Sequence, residues 1–266
     1  MLEKIKLKLK KNELIKYIFW KIGFIKIYDF FRDPKYYFKI LFISIPLVFV
    51  SKKNTDRYIN LKFELLKNKK SDIYEHMDTL YEYSMKCESV FETGVRGVVS
   101  SWAFLKGLKD NDGTNNELLM NDIEMCEFKE IETLSINTGI KYSFLIKNNL
   151  ELNLDRDFDL TFIDTWHVYG QLKRELAKFS KTTSKYIILH DTTVDGEFGE
   201  SIRFKLDSEK QSNITGYTVQ EIEKGLWPAV EEFLKSSSEW VLEKRYTNCN
   251  GLTILKKVDI ESSILT

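Results

Sequence analysis

From Ser89 onward the chain alternates short apolar, β-prone runs with stretches of helical spacing, and that alternation restricts its fold more than any other feature. The runs are Val90-Phe91-Glu92, Glu117 to Ile123 with Asp122 near its end, Tyr142 to Ile146, Phe158 to Ile163 and Tyr186 to Leu189. Helices are expected between them, from about Ser100 to Leu108, Lys129 to Asn137 and Val168 to Phe179. Strands separated by helices of this length form a parallel, doubly wound sheet. Past Asp191 the pattern loosens through Thr192 to Gly216, with Asp195, Gly196 and Gly199 as turn formers, then resumes with a helix from about Leu226 to Leu234. Two last runs, Trp240 to Tyr246 and Gly251 to Lys256, flank Asn248-Cys249-Asn250-Gly251, and Asn-Gly between such runs signals a hairpin.

The 266 residues suffice for one large domain with an appendage. Net charge is zero, which removes any global case for nucleic-acid binding, but residues 1–53 carry basic over acidic side chains roughly three to one. In that region Tyr17, Phe19, Trp20, Phe24, Tyr28, Phe30 and Phe31 interleave with lysines, as on membrane-surface helices. The apolar run Ile40 to Val50 is far short of the about 20 residues a spanning helix needs. It reads as a buried strand or packed segment, with an interfacial anchor or an oligomer contact as the other options. Cys87, Cys126 and Cys249 are odd in number and lack CxxC spacing, so a reducing cytoplasm is expected, with peripheral membrane association through residues 1–53 as an addition. Helical spacing over Thr55 to Met85 gives two lead-in helices. The expected fold class is α/β, a Rossmann-like doubly wound, mostly parallel sheet ending in an antiparallel β-hairpin; residues 1–53 form an N-terminal extension and 54–266 the domain.

Chemistry-bearing residues gather at the expected strand ends. Of three histidines, His167 and His190 follow or precede aspartates in Ile163-Asp164-Thr165-Trp166-His167 and Leu189-His190-Asp191. Ligands of open α/β sheets bind beyond the carboxyl ends of the strands, and Asp with His is a metal-ligand set that can include a base. Either motif alone is equally a turn former or a surface pair. The first strand ends in Glu92-Thr93-Gly94-Val95-Arg96-Gly97, and a helix starting near Ser100 and Ser101 offers free N–H groups. The glycines are not spaced as GxGxxG, so a nucleoside or amino-acid ligand fits better than a pyrophosphate. Asp122 is placed to accept from a ribose diol, with Glu124 as the fallback and helix capping as the plain reading of either. Trp102, Trp227 and Trp240 are expected in the core, and Trp166 can wall a pocket.

Over Ser89 to Lys257 the chain resembles class I S-adenosylmethionine-dependent methyltransferases, and among them the group of cephalosporin-hydroxylase-type proteins and metal-dependent macrolide sugar O-methyltransferases. The resemblance is carried by Glu92 to Gly97, Asp159 to Tyr169, Tyr186 to Thr192, Gly225-Leu226-Trp227-Pro228-Ala229-Val230 and Asn250-Gly251-Leu252-Thr253. It implies that Glu92, Thr93, Gly94, Val95, Ser100, Ser101, Asp122 and Asp164 contact S-adenosylmethionine. It also implies a divalent cation on an Asp after the fourth strand and an acidic pair after the fifth. Asp164 and Asp191 match that pattern, whereas His190 stands where an acidic residue is found. Mn²⁺ or Fe²⁺ therefore suits the set Asp164, His190 and Asp191 better than Mg²⁺, which prefers oxygen ligands. His167 corresponds to the general base of the sugar methyltransferases, and a cation-bound hydroxyl beside an imidazole is sound chemistry for it.

The function so implied is metal-dependent O-methylation of a sugar hydroxyl, in a nucleotide-sugar or a surface glycan precursor, by a homo-oligomer. The loop Thr192 to Gly216, with Arg203 and Lys205, is the expected substrate lid, and its cations suit a sugar diphosphate. A catechol-like or other small acceptor is the alternative, as is a non-catalytic membrane- or partner-binding protein on a methyltransferase fold. Arg96 is a candidate for binding a carboxylate or phosphate, or for a surface ion pair.

Overall fold

The computed structural model describes residues 52–258. The expectations for residues 1–53, including Ile40 to Val50 and the aromatic-lysine pattern, lie outside them apart from the last two positions. The chain divides after Glu64 into two compact units. Of the first, the described part belongs to helix α1 (Lys52–Lys67), in which Tyr58, Ile59 and Phe63 are buried. No helix among the described residues is long and apolar enough to cross a membrane.

The second unit begins with a 3₁₀ turn (Tyr74–His76) and α2 (Met77–Ser84). Then come β1 (Ser89–Thr93), α3 (Ser100–Asp110), β2 (Glu117–Asp122), α4 (Lys129–Thr138), β3 (Lys141–Ile146), β4 (Phe158–Ile163), α5 (Tyr169–Phe179) and β5 (Thr183–His190). The chain closes with α6 (Glu200–Arg203), α7 (Ser208–Thr215), α8 (Val219–Glu223), α9 (Trp227–Ser236), β6 (Trp240–Tyr246) and β7 (Leu252–Lys257). The seven strands are ordered β3-β2-β1-β4-β5-β7-β6. The first five are parallel, and β7 runs antiparallel between β5 and β6. This is the expected Rossmann-like sheet with its terminal hairpin.

The central strands β1, β2 and β4 are buried along nearly their whole length, as strands covered by helices on both faces must be. Strand β3 lies at one edge and is largely exposed or half-buried. On one face Phe91 meets Phe158 and Phe179 with ring centroids 5.7 and 5.2 Å apart, backed by Leu172 and Leu176 of α5 and Ala229 and Val230 of α9. On the other, Phe104 of α3 meets Phe162 at 5.2 Å. Each such ring contributes about 1.5–3 kcal/mol through burial. Phe179→Ala is expected to lower the unfolding free energy by about 3–5 kcal/mol because it also leaves a cavity; guanidinium titration checks this, and an unchanged midpoint would contradict the packing. Trp102 and Trp240 are buried as expected. Trp227 is half-buried against the same cluster, with the Arg245 guanidinium 3.4 Å from its ring centroid.

The span Thr192 to Gly216 is not the loose loop that its pattern suggests. It holds α6 and α7, the latter built from Ser208-Glu209-Lys210-Gln211-Ser212-Asn213-Ile214-Thr215, which has little apolar periodicity. Capping defines α7 instead: Asp207 accepts the Lys210 N–H at 2.9 Å, and Gly216 ends the helix at φ +74°.

Candidate active site

Strand order reverses between β1 and β4, and the crevice at such a point is where ligands of open α/β sheets bind. A cavity of about 780 Å³ opens there, beyond the ends of β1, β2 and β4. The loops after β1 and β4 cross tightly: Asp164 N donates to Thr93 O at 3.0 Å and Gly94 N to Asn121 O at 2.9 Å. Gly94 turns the chain at φ +84°, and a Cβ on it would lie 1.9 Å from the Asp164 carbonyl oxygen. Val98, a β-branched residue, is also left-handed at φ +57°, so the loop stores strain.

Asp122 grips this loop. Its Oδ2 accepts from the backbone N–H groups of Val95 and Arg96, both at 2.9 Å, and its Oδ1 from Glu124 N at 3.1 Å. Burial acts to raise its pKa, but these bonds outweigh it and hold the carboxyl below its ordinary value. A carboxylate offers about four lone-pair sites, so Asp122, which lines the cavity together with Glu124, has at most one left for a ligand hydroxyl. Behind the loop Glu92 is fully buried and accepts from Ser100 Oγ at 2.5 Å and Ser101 Oγ at 2.6 Å. Burial pushes the Glu92 carboxyl up to about 8 against those two bonds. Thr93, Gly94, Asp122 and Asp164 thus face the cavity, while Glu92, Val95, Ser100 and Ser101 brace it from behind.

Because β4 and β5 are neighbours, their ends bring Asp164, His167, His190 and Asp191 together. Asp164 Oδ1 lies 3.1 Å from His167 Nε2 and 3.3 Å from His190 Nδ1. His190 Nε2 is 3.2 Å from the Asp72 carbonyl oxygen, to which it donates, so Nδ1 is the atom turned to the carboxylates. His167 Nδ1 stands 3.0 Å from Asp191, 3.1 Å from Asp195 and 3.3 Å from Glu200. Burial opposes charge on both rings, yet hydrogen bonds with Asp164, Asp195 and Glu200 raise His167 well above its ordinary pKa. The Asp164 charge and hydrogen bond, with the Asp191 charge, lift His190 to about 9. Asp164 is held well below the carboxylate range: the charge of His190 and hydrogen bonds from both imidazoles overcome its burial.

The donor set fits a divalent cation. Ligand atoms of Asp164, His167 and Asp191 all lie within 4.8 Å of one another, so His167 joins the expected aspartates. His190 Nδ1 is also close, at 3.3 Å from Asp164 and 3.6 Å from Asp191. Asp191 Oδ1 is buried without a hydrogen-bond partner, its residue sits at φ +58°, and burial raises its pKa despite the nearby imidazoles. An orphaned carboxylate oxygen beside a second carboxylate and two imidazoles matches the mixed N/O preference of Mn²⁺ or Fe²⁺.

Without a cation, the charge on His190 stabilises the fold fully below its ordinary pKa of 6.5, and that contribution is lost as pH rises through about 9. The melting temperature of metal-stripped protein is therefore expected to fall over that window, and His190→Gln to flatten the fall. An identical profile in the variant would contradict the charge assigned to His190.

A buried polar floor, not anticipated from the sequence, lies beneath the cavity. Asn121 donates to the carbonyls of Leu145 (2.9 Å) and Lys147 (2.8 Å) and accepts from Thr93 Oγ1 at 2.9 Å. Asn149 donates to Thr93 Oγ1 at 3.0 Å. Glu175 Oε1 accepts from Thr165 Oγ1 (2.6 Å), Asn149 Nδ2 (2.5 Å) and Gln171 Nε2 (2.8 Å). The available signal was Gln171 and Glu175, four apart on α5 beside the apolar stripe of Leu172 and Leu176. At the outer wall Trp166 stacks on Tyr217 with centroids 5.8 Å apart and planes at 16°.

The span Thr192 to Gly216 borders the cavity through Glu200, Ile214 and Thr215, but not through its cations. Arg203 is committed to Asp195 by bonds of 2.6 and 2.7 Å, and neither it nor Lys205 lines the cavity. Arg96 is largely exposed and pairs with Asp72 at 2.8 Å, and it also lines the cavity, so both of its expected roles stay open.

Sheet order, loops and cavity together define a Rossmann-like α/β fold with a ligand crevice at its switch point. No known family model matches the chain, and no curated protein does. It is similar to the O-methyltransferase TomG of Streptomyces achromogenes, involved in tomaymycin synthesis and solved with SAM: 10% identity, 84% of this chain, 96% of that one, TM-score 0.47. It is also similar to an O-methyltransferase of Bacillus cereus in complex with SAH (13% identity, 79% and 94% coverage, TM-score 0.45). The N-methyltransferase NodS of Bradyrhizobium japonicum WM9 is a third (10%, 77% and 100%, TM-score 0.45). At these identities and TM-scores the likeness decides nothing about the activity of this chain.

Proposed function

We propose that this chain is an S-adenosylmethionine-dependent O-methyltransferase with a divalent cation on Asp164, His190 and Asp191 and with His167 as the general base. One observation carries the reading: a cavity at the β1/β4 switch point is lined by Gly94 and Asp122 on one side and by Asp164 and His167 on the other, with Asp191 within 4.8 Å of the last two. When bound, S-adenosylmethionine supplies the methyl group and the cation supplies Lewis acidity to the acceptor hydroxyl. The loop residues orient the cofactor, since displacement at a sulfonium carbon needs mainly alignment. His167 takes the hydroxyl proton at Nε2. In the metal-free chain Asp164, Asp195 and Glu200 hold that ring protonated; a cation that neutralises Asp164, the first of these, lowers its pKa toward the range of a base.

The acceptor reading is a sugar hydroxyl, supported by the Trp166–Tyr217 wall and by the capacity of neighbouring hydroxyls to chelate a cation. The commitment of Arg203 to Asp195 weakens the diphosphate part of that reading, which then rests on Arg96 beside the cavity. Radiolabelled methyl transfer, run with Mn²⁺ on simple glycosides, nucleotide-sugars and catechols, tests it. Incorporation into glycosides is expected; transfer confined to catechols would reverse the acceptor class.

A further inference from the structure

We infer that Asp195, clamped by Arg203, is a positioning residue that fixes the ring of His167. The inference deepens the methyltransferase reading and rests on it only for the use made of His167. Asp195 is 0% exposed and accepts at Oδ2 from His167 Nδ1 at 3.1 Å. Both its oxygens also receive the fork of Arg203, Nε to Oδ1 at 2.6 Å and an Nη to Oδ2 at 2.7 Å, the bidentate geometry that sets direction as well as charge. A fully buried carboxylate is tolerated only when its charge and lone pairs are met, and Arg203 and His167 meet them.

The backbone around Asp195 is fixed independently of these side chains. Its N–H donates to Asp191 O at 3.1 Å and its carbonyl accepts from Leu226 N at 2.8 Å. A Cβ on Gly225 would lie 2.5 Å from that carbonyl, so the Gly225-Leu226-Trp227 segment can lie this close only with glycine there. The segment carrying Arg203 also holds the backbone of His167, through Glu200 N to His167 O at 3.0 Å. With Nδ1–H donated to Asp195, Nε2 is left facing Asp164, where it serves a cation or a substrate proton. Arg203 therefore acts on the site through Asp195, without facing the cavity.

Only three histidines occur, so selectively ¹⁵N-histidine-labelled full-length protein gives a spectrum simple enough to read each ring. A slowly exchanging Nδ1-bound proton, assigned by its loss in His167→Gln, is expected in the wild type without metal. Asp195→Asn should remove or strongly shift it and, in the presence of S-adenosylhomocysteine, weaken Mn²⁺ binding about 10- to 100-fold. Affinity for S-adenosylhomocysteine itself should hold. Arg203→Lys, which keeps charge without the fork, should fall between. If Asp195→Asn does not fold, Arg203→Gln reads the same resonance, and its unchanged position would overturn the inference. So would an unaltered His167 signal and Mn²⁺ affinity in Asp195→Asn, or loss of S-adenosylhomocysteine binding in that variant alone, which would mark a structural role. Failure of the wild type to bind S-adenosylhomocysteine would sink the methyltransferase reading while the ring resonance still decides this one.

Discussion

Gly94→Ala is expected to weaken cofactor binding by at least an order of magnitude in a protein that still folds. The new Cβ would lie 1.9 Å from the Asp164 carbonyl oxygen and 2.5 Å from its carbon, at a backbone φ of +84°. Left-handed backbone costs an L-residue about 1–2 kcal/mol, and forcing atoms into a packed contact costs about 1–3 more. The loops after β1 and β4 must part to relieve it, and they are the two that carry Asp122's N–H partners and Asp164. A displacement worth about 2–5 kcal/mol corresponds to roughly 30-fold to several thousand-fold in affinity. Calorimetry with S-adenosylhomocysteine checks this, alongside a denaturant titration; wild-type affinity in the variant would contradict the crossing geometry.

Asp164→Ala is the second large effect. Asp164 faces both imidazoles, at 3.1 and 3.3 Å, and is one of the two candidate metal-binding aspartates. Its removal leaves the charges of His167 and His190 without their shared partner. Breaking a buried charge pair costs about 3–5 kcal/mol of folding stability, and loss of a ligand of the catalytic cation is expected to lower the rate by at least the roughly 10- to 100-fold that removal of an outer-shell partner costs. Mn²⁺ retention after gel filtration is expected to be lost as well. Asp164→Asn separates the two roles, since it keeps shape and weakens charge. Methyl transfer at wild-type rate in Asp164→Ala would remove the cation from the account.

The sheet was legible because the strands are buried on both faces and so write their position as apolar runs, Phe158 to Ile163 most plainly. The hairpin was legible from Asn250-Gly251, where left-handed φ values of +67° and +97° demand those residue types. Helix α7 was not, because local capping by Asp207 and Gly216 defines it and its own residues are mostly polar. At the site, Asp164, His167 and Asp191 were readable as strand-end residues. Asp195 and Arg203 were not, since a turn-forming Asp-Gly and a lone Arg acquire their meaning only when the chain after β5 folds back on His167. Glu92 shows the reverse: its motif position pointed to ligand contact, and the fold turns it inward onto two serines.

The most direct measurement is calorimetric titration of S-adenosylmethionine into metal-stripped full-length protein, repeated with Mn²⁺ and with Asp164→Ala and Asp191→Ala. Saturable cofactor binding at one site, and uptake of one Mn²⁺ that both substitutions abolish, are the predicted results. A folded wild-type protein that takes up no cofactor would contradict the central claim.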